Sequence, residues 1–448
     1  MSEFKLKVTN ELECDVLVIG GGSAGIASAV CAARHGANTI MIERNGCLGG
    51  MATSGLVGPF MTSYDTEGQV QLIRGFFDEI VRRMEAQGGA VHPSDATYGT
   101  SYTAYRLDGH RNLSMFDPEV FKYVAEQMCE ESGVKLIYHL NFVGCEKENN
   151  KITAAYFVSK LQVFKITAKV FIDCTGDADL AIDSGVPTVY GDGKGDVQPT
   201  SLFFTVRGVD KEEMEKHMQS YPDKERKFYM KEIVEERKKG NYPILRNRIM
   251  LFEGLNDEWI LNMTQIDDID GNDCQQVTEG AIVGRKQIRI IIDFLKKYAA
   301  GCKNITLSKS AEVLGVRETN TILGEYRVTN EDVANSVRFE DSIFCCANSQ
   351  DIHTKGYVNY VVRRKTEPYY IPYRALLPKE VDNLLVAGRC ISGEREVVAA
   401  VRVMPTCFAM GQAAGTAAAL CVCENKKPRE VDIKKLVDTL VEDGVYLP

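Results

Sequence analysis

One short segment near the amino terminus constrains the fold of this chain more than any other. Residues 14 to 22 read CDVLVIGGG, an apolar run that ends in glycines, and small residues at helical spacing follow it. A second apolar run at residues 38 to 43 ends in Glu43. Strand, glycine turn, helix and strand within about 30 residues predict a βαβ unit of an α/β fold.

The three glycines of this turn have the spacing that a dinucleotide pyrophosphate requires. Gly20 permits the tight turn, Gly22 the close approach of the backbone, and Gly25 the contact between helix and strand. The amino terminus of the helix, at Ser23 and Ala24, then faces the phosphates with its positive dipole end. The segment therefore predicts a dinucleotide-binding site.

Glu43 narrows the choice of dinucleotide. It ends the second strand, where an acid accepts hydrogen bonds from ribose hydroxyls and repels a 2'-phosphate. This disfavours NADP, but the glycine motif alone does not distinguish FAD from NAD.

The rest of the chain indicates a fold divided between two domains. Short alternating strands from Val134 to Asp173, with a turn at Asn149-Asn150, predict a β-meander, and the strand and glycine-turn pattern returns at Asn383. Between them lie charged and amphipathic helical runs, predicted over 211–239 and 281–299, which are typical of a separate substrate or cap domain. The predicted fold class is α/β, with a discontinuous Rossmann-like FAD-binding domain of residues 1–75, 113–185 and 376–448 that includes the β-meander, and a mixed α/β cap of residues 76–112 and 186–375.

Composition excludes several classes of partner. The 53 Lys and Arg against 62 Asp and Glu give a formal net charge of -9, and the basic runs are short, so we expect no nucleic-acid partner. The amino terminus has no signal-like apolar region, and we find no stretch of about 18 uncharged apolar residues, so we expect a cytoplasmic protein without a membrane span. The 14 cysteines include no C-x-x-C pair and predict no metal site. Self-association stays open.

Residues 44 to 53, RNGCLGGMAT, form a second glycine-bearing loop that can run past the ribose and pyrophosphate toward a flavin. With the first glycine motif, NLLVAGRCIS from residue 383 and RVMPTCFAMGQAAGTAA from residue 402, this loop resembles bacterial FAD-dependent oxidoreductases of the broad glutathione-reductase and fumarate-reductase clan. LGVRET, GEYRVTNED, the Asp351-Ile352-His353 triplet and IPYRALLPK extend the resemblance through the middle of the chain. The resemblance implies an enzyme that carries FAD.

The same resemblance assigns residues to the cofactor. It implies that Thr175-Gly176-Asp177 closes over the adenine side, that Gly388 and Arg389 lie near pyrophosphate or ribitol, and that a helix starting near Pro405 points at the flavin pyrimidine. Arg389 stands where the broader clan carries an acid, so its implied role is a supporting one. The predicted cofactor-binding residues are Gly20, Gly22, Ser23, Ala24, Gly25, Glu43, Arg44, Gly49, Gly50, Met51, Ala52, Thr53, Phe142, Val143, Thr175, Gly176, Asp177, Gly388, Arg389, Met404, Gly411 and Ala414.

Few residues are candidates for the proton transfer that accompanies flavin chemistry. The chain has six histidines. His353, in what reads as a polar loop after Asp351, is the first candidate, and His110 is the second, with a purely structural role as the alternative for each. His35 is predicted to lie at the end of the first helix.

Several arginines are candidate clamps for a substrate carboxylate. Arg317, Arg364 and Arg402 can each grip a carboxylate with two hydrogen bonds, and Arg317 and Arg402 stand within family-like motifs. The predicted catalytic residues are therefore His353, Arg317 and Arg402. Asn320 stands where relatives are expected to carry Arg, so the resemblance does not fix the substrate.

The absence of other motifs shapes the expected reaction. No second strand-Gly-x-Gly-x-x-Gly-helix unit follows to bind NAD(P)H, and Cys47 has no second cysteine nearby, which disfavours a disulfide reductase. We expect hydride transfer between flavin N5 and a small polar metabolite with a hydroxy, amino or carboxyl group, the electron partner being open. Two alternatives also stay open: fumarate-reductase-like reduction of an activated C=C bond, and an electron-transfer subunit without its own substrate.

Overall fold

The chain alternates strands and helices at both ends and carries a second group of strands in between. The computed structural model describes residues 7–96, 112–220, 228–356 and 367–448, and the backbone of residues 360–363. The strands in these residues are β1 (Asn10–Ile19), β2 (Thr39–Glu43), β3 (Lys135–Tyr138), β4 (Asn141–Glu148), β5 (Lys151–Ser159), β6 (Gln162–Asp173), β7 (Thr188–Tyr190), β8 (Phe204–Arg207), β9 (Leu251–Glu253), β10 (Trp259–Leu261), β11 (Thr306–Ser310), β12 (Asn320–Ile322), β13 (Ser342–Cys346), β14 (Gln350–His353), β15 (Tyr360–Arg363), β16 (Tyr369–Pro372) and β17 (Leu384–Val386). The helices are α1 (Ser23–Arg34), α2 (Phe76–Glu85), α3 (Pro118–Glu131), α4 (Asp179–Asp183), α5 (Lys211–Ser220), α6 (Met230–Lys238), α7 (Cys274–Tyr298), α8 (Asn330–Ala334), α9 (Arg395–Val401), α10 (Met404–Glu424) and α11 (Ile433–Glu442).

The larger sheet has a parallel half and an antiparallel half. Its order is β3-β2-β1-β6-β5-β4, and β17 also pairs with β6. β3, β2, β1, β6 and β17 are parallel, whereas β4, β5 and β6 form an antiparallel meander. The long β6 strand pairs with β5 along its first half and with β17 at its last three residues. The predicted α/β fold, with a βαβ unit and a meander, is confirmed.

Small residues let two helices pack closely on this sheet. A Cβ atom on Gly411 of α10 would lie 2.1 Å from the Ala24 carbonyl oxygen of α1, and one on Gly415 would lie 2.2 Å from the Ser28 carbonyl oxygen. Ser28 also donates a hydrogen bond to the Gly411 carbonyl at 3.1 Å. The glycines of α10 therefore allow backbone contact with α1, which fixes the position of the α1 amino terminus.

Helix α10 corrects one expectation from the sequence. Met404–Glu424 is long and apolar enough to cross a membrane by length and composition, so an uncharged apolar stretch does exist. However, 83% of its most apolar stretch is buried inside the protein, against α1, α2 and the sheet. A core helix of a soluble protein passes the same test, so this helix is weak evidence for a membrane span.

A second sheet has its own hydrophobic core. Its order is β11-β8-β10-β9, all antiparallel, and α7 packs against it through Ile288, Ile291 and Leu295. Helix α2, in contrast, contributes Phe76 and Phe77 to the core beside the larger sheet. The proposed domain division stays a prediction, with α2 packing on the side of the nucleotide-binding elements.

The helix boundaries differ from those expected. The helical run predicted over 211–239 consists of α5 and α6, separated by residues outside the described ranges. Helix α7 begins earlier than predicted because the Asp273 side chain accepts hydrogen bonds from the Gln275 and Gln276 backbone amides.

Candidate active site

A cavity of about 1140 Å³ lies where the two sheets meet. One side is formed by Ile19, Glu43 and Ala387, at or just after the carboxyl ends of parallel strands. Phe203 and Asn262, beside strands of the second sheet, line the other side. The carboxyl edge of a parallel sheet is the usual place for a ligand in open α/β folds, so this cavity is the candidate active site.

Glycine backbone forms one end of the cavity, which we call the nucleotide end. Gly20 has φ +101°, and a Cβ atom there would lie 2.5 Å from the Cys174 carbonyl oxygen. A Cβ atom on Gly22 would meet nothing within 4 Å, so the missing side chain keeps space open in front of α1. Among the described residues, no side chain caps the amino terminus of α1. This end offers backbone N–H groups and a helix dipole to an anion.

Glu43 is held rigidly at this end. Its Oε2 atom accepts a hydrogen bond from the Gly21 amide at 2.6 Å, and its Oε1 atom accepts one from the Asn45 amide at 2.7 Å. The side chain is buried and lines the cavity at the end of β2. The loop after β1 and the loop after β2 are thereby tied to one carboxylate, in the position predicted for a ribose contact.

Arg389 joins two cavity-lining loops. Its Nη2 atom donates to Asp177 Oδ1 at 2.6 Å and its Nη1 atom to Thr319 Oγ1 at 2.9 Å. Burial opposes the charged form of Asp177, but Arg389 and Thr319 outweigh it and hold the pKa of that carboxyl below its usual range. Arg389 thus stabilises the Thr175–Asp177 loop, consistent with a supporting role.

Asp179, at the start of α4, is a cavity residue that the sequence did not single out. Burial, reinforced by the nearby carboxylates of Asp173 and Asp177, raises the pKa of Asp179 to about 7. The nucleotide end therefore contains one carboxyl group that is half-protonated near neutral pH.

Most of the predicted cofactor residues line the cavity. These are Gly20, Gly22, Ser23, Ala24, Glu43, Arg44, Gly49, Gly50, Met51, Phe142, Val143, Thr175, Gly176, Asp177, Gly388, Arg389 and Met404.

The other predicted cofactor residues lie behind the cavity wall and are not among its lining residues: Gly25, Ala52, Thr53, Gly411 and Ala414. A Cβ atom on Gly25 would lie 1.7 Å from the Gly20 carbonyl oxygen, and Thr53 Oγ1 donates to the Leu48 carbonyl at 2.6 Å. Ala52 and Ala414 are fully buried in the core beside the larger sheet. These residues shape the loops and helices that form the wall.

His353 lines the same cavity, and we call the part of the cavity around it the substrate end. It is the last residue of β14, paired with β15, and not part of a polar loop as the sequence suggested. Its Nδ1 atom is 3.2 Å from Arg246 Nη2, and its Nε2 atom is 3.2 Å from Asp351 Oδ2. Because a guanidinium only donates, Nδ1 is the acceptor and Nε2 carries the proton toward Asp351.

The protonation of this pair follows from its surroundings. Burial, with the charge of Arg317 next in size, lowers the pKa of His353 to about 3. Burial also opposes ionisation of Asp351, but His353, Arg402 and Arg317 outweigh it and hold the pKa of that carboxyl below its usual range. At neutral pH the site holds a neutral imidazole beside an ionised carboxylate.

The two predicted arginines flank the same pair. Arg317 is buried and donates to the Pro199 carbonyl at 2.5 Å and to Ser201 Oγ at 2.9 Å. Arg402, just before α10, has its Nη2 atom 3.4 Å from the Asp351 carbonyl oxygen. His353, Arg317 and Arg402 all line the cavity, so the structure brings the three predicted catalytic residues to one end.

Several residues of the substrate end were missed by sequence reasoning. Arg246, which contacts His353, also donates a hydrogen bond to the Asn262 carbonyl at 2.6 Å. Gln198 Oε1 accepts a hydrogen bond from the His353 backbone amide at 3.1 Å. Asn348 and Asn262 line the cavity. Only Asn348, near the Asp351–His353 triplet, had a nearby sequence signal; the others come from distant segments without a motif.

The remaining candidates lie elsewhere. His110 and Arg364 fall outside the described residues. His35 follows α1, with Nε2 2.7 Å from Asp443 Oδ2. Cys47 is half-buried, 3.6 Å from Ser54 Oγ, and is not among the residues that line the cavity. Asn320 lines the cavity and donates to the Asp177 carbonyl at 3.3 Å.

The nucleotide end fits FAD. Two helix amino termini without side-chain caps, those of α1 and α10, belong to the cavity wall, one beside the open space at Gly22 and one at Met404. A family model described as FAD dependent oxidoreductase matches residues 15–440. The chain belongs to this family. FAD is accordingly its cofactor and the protein is an oxidoreductase, as the sequence predicted, whereas its narrower place within the clan stays a prediction.

Individual relatives add little beyond the family. Glutathione reductase of Schizosaccharomyces pombe is 64% identical over 36 residues, and the match covers 8% of each chain. Among solved structures, a geranylgeranyl bacteriochlorophyll reductase-like protein of Thermoplasma acidophilum is 13% identical (97% of this chain, 84% of that one, TM-score 0.46). A p-nitrophenol 4-monooxygenase of Pseudomonas putida is 9% identical (98% and 85%, TM-score 0.46). At these values the matches do not bear on the substrate.

Proposed function

We propose that this FAD-dependent oxidoreductase transfers a hydride between flavin N5 and a small polar metabolite bound at the substrate end. The observation that supports this is the presence, in one cavity, of a glycine-lined nucleotide end and of a polar end containing His353, Asp351, Arg317 and Arg402. FAD, when bound, supplies the hydride acceptor or donor. The chain's own residues bind the substrate and handle the proton.

His353 is the residue we assign to proton transfer. Asp351 orients the ring through Nε2, and Arg246 contacts Nδ1. Burial keeps the pKa of the ring low, and the charges of Arg317 and Arg246 lower it further. An anionic substrate group near these arginines offsets their charge and raises the pKa of His353, which makes the imidazole a better base once substrate is bound.

A second candidate function is the reduction of an activated C=C bond with Arg402 as proton donor. Burial lowers the pKa of Arg402, which favours release of a proton relative to an exposed guanidinium. Within the described residues its Nε atom is buried and has no hydrogen-bond partner. An electron carrier without its own substrate has no use for such a polar end, so this alternative receives no support from the cavity.

The test is anaerobic reduction of the FAD-loaded protein, followed as bleaching at about 450 nm. Hydroxy acids, amino acids and polyols serve as electron donors, and the dithionite-reduced protein is mixed with unsaturated acids to test the second candidate. His353→Gln should slow bleaching by roughly 10²- to 10⁴-fold, since a positioned base contributes about that much. Its FAD content should not change, because His353 lies away from the nucleotide end.

His35→Gln is the matched control, because this histidine pairs with Asp443 at the end of α1 and does not line the cavity. It should bleach like the wild type. If His353→Gln were reduced as fast as the wild type, His353 would not be the base.

A further inference from the structure

We propose that the substrate is a small hydroxycarboxylate, recognised by Asn348, Asn262 and Arg402. This inference rests on the proposed function and names the substrate class of the same site. It is carried by polar atoms of these three side chains, which are buried at the cavity and have no hydrogen-bond partner within the described residues.

Asn348 has the most unpaired polar atoms of the three side chains. Its side chain is 3% exposed, and both Oδ1 and Nδ2 are without partners, so in either orientation of the amide one donor and one acceptor face no protein group. Burying such groups unpaired is costly, and native proteins avoid it. The ligand that satisfies Asn348 therefore has to offer both an acceptor and a donor.

Asn262 and Arg402 add one donor and one acceptor to what the ligand has to offer. Asn262 is 7% exposed and its Oδ1 atom requires a donor, whereas Arg402 Nε requires an acceptor. Together with the two unpaired atoms of Asn348, these atoms require two acceptors and two donors from the ligand. A carboxylate supplies acceptors only, and each hydroxyl group supplies one donor, so a ligand with two hydroxyl groups pairs both acceptors.

Charge decides between a hydroxyl and an ammonium group as the donor. Among the described residues, the guanidinium groups of Arg246 and Arg317 and the carboxylate of Asp351 face His353, and Arg402 lies against the Asp351 backbone. Glu318 also acts on Arg402, but Arg395 pairs with it through two hydrogen bonds, so three cations against the Asp351 carboxylate attract an anion and disfavour an ammonium group. An unsaturated acid without a hydroxyl would leave the Asn262 and Asn348 acceptors unpaired, so it fits less well.

Two of the three residues, Asn262 and Arg402, are connected to the proposed base. Arg246 contacts both the Asn262 carbonyl and His353 Nδ1, and Gln198 Oε1 lies within 3.1 Å of the His353 amide and 3.5 Å of Arg402. A hydroxycarboxylate held by these side chains thus has its hydroxyl close to His353. Oxidation breaks the C–H and O–H bonds and forms a C=O bond; the hydride with its two electrons passes to FAD, and the proton passes to Nδ1 of His353, where it replaces the hydrogen bond from Arg246.

The experiment measures binding, so that it does not depend on turnover. Calorimetric titration of the FAD-loaded protein uses glycolate, lactate, malate, tartrate and gluconate, each paired with its deoxy acid and its neutral amide. We expect at least one hydroxycarboxylate to bind roughly 10-fold or more tightly than both its counterparts. Failure of every hydroxycarboxylate to bind, or equal binding of the neutral amide, would overturn the proposal.

Two variants locate the recognition. Asn262→Leu should abolish the preference for the hydroxy acid over its deoxy form, and Asn348→Asp should lower the affinity for the acid roughly 10-fold or more by placing a carboxyl opposite it. Asn304→Asp, at an exposed position after α7, is the matched control and should bind like the wild type. FAD absorbance and thermal unfolding report whether each variant is folded and loaded.

The outcomes separate this inference from the proposed function. If Asn348→Asp shifts the flavin spectrum or loses FAD while ligand affinity is unchanged, Asn348 contacts the cofactor and the inference fails. If the acids bind as expected but none bleaches the flavin, the subsite stands and hydride transfer from it fails. If only neutral alcohols or amines bleach the flavin, and Asn348→Asp responds to them like the wild type, hydride transfer stands and the inference fails.

Discussion

The two ends of the cavity are built from different parts of the polypeptide. The nucleotide end is mostly backbone: Gly20 and Gly22 bring main chain to the surface, and α1 presents its amino terminus there. The substrate end is mostly side chain: Arg246 and His353 meet across 107 residues of sequence, and Arg402 arrives from a third segment. One end offers mainly backbone groups and a helix dipole, whereas the other offers a particular set of side-chain donors and acceptors.

This difference predicts how each end responds to mutation. A backbone site is damaged by adding atoms, because the N–H groups remain but the ligand or a neighbouring strand no longer has room. A side-chain site is damaged by removing or exchanging atoms, with FAD still bound. The largest effects are therefore expected from methyl groups at the nucleotide end.

Gly25→Ala and Gly22→Ala form the sharpest pair. The added Cβ atom at Gly25 overlaps the Gly20 carbonyl oxygen at 1.7 Å, so we expect α1 to lose its place against β1, with a cost of roughly 1–3 kcal/mol or more. At Gly22 the Cβ atom has free space and φ is an ordinary -74°, so the apoprotein should unfold at the wild-type temperature but bind FAD much more weakly. Thermal unfolding and FAD titration distinguish the two.

Equal effects of the two substitutions would contradict the different roles assigned to Gly22 and Gly25. Should Gly22→Ala bind FAD as tightly as the wild type, the space in front of α1 would not hold the pyrophosphate. Should Gly25→Ala keep its unfolding temperature, the close contact between the first turn and α1 would not be needed for the fold.

Asp179 tests the effect of a side-chain charge at the nucleotide end. Its folded-state pKa of about 7 lies above the ordinary value of 3.8, so the folded protein binds more protons than the unfolded chain between these values, and stability falls as pH rises across this window. Each pKa unit is worth roughly 1.4 kcal/mol. Asp179→Asn should therefore unfold several degrees higher than the wild type at pH 8 and show little difference at pH 4.

Asp192→Asn is the control of opposite sign. Hydrogen bonds from the Lys194 and Asp196 amides lower the pKa of Asp192, so its contribution to stability is present above the ordinary value and lost as pH falls. Removing that carboxylate should lower the unfolding temperature slightly at pH 8. A gap between Asp179→Asn and wild type that does not change with pH would show that the Asp179 carboxyl is not protonated in the folded state.

The same contrast explains what could be predicted from sequence. The strand, turn and helix from residue 14 to 34 follow from neighbouring residues, so local patterns are sufficient. The packing of the second sheet against β14 brings together Arg246, Asn262 and Asn348. The spacing of residues along the sequence does not predict that packing. His353 was found through a family-like motif, but its strand pairing was not foreseen.

Cys47 should give the smallest effect, because it belongs to neither end. Its thiol lies 3.6 Å from Ser54 Oγ and 3.8 Å from Thr53 Oγ1 and is not among the cavity-lining residues. No other cysteine pairs with it, since all 14 are free thiols. A dithiol that exchanged electrons with the flavin would add two electrons to the roughly two that FAD itself accepts. In anaerobic dithionite titration, Cys47→Ser should therefore take up as many electrons as the wild type and as the exposed control Cys423→Ser. A lower electron uptake in Cys47→Ser alone would show that Cys47 is a redox-active thiol that exchanges electrons with the flavin.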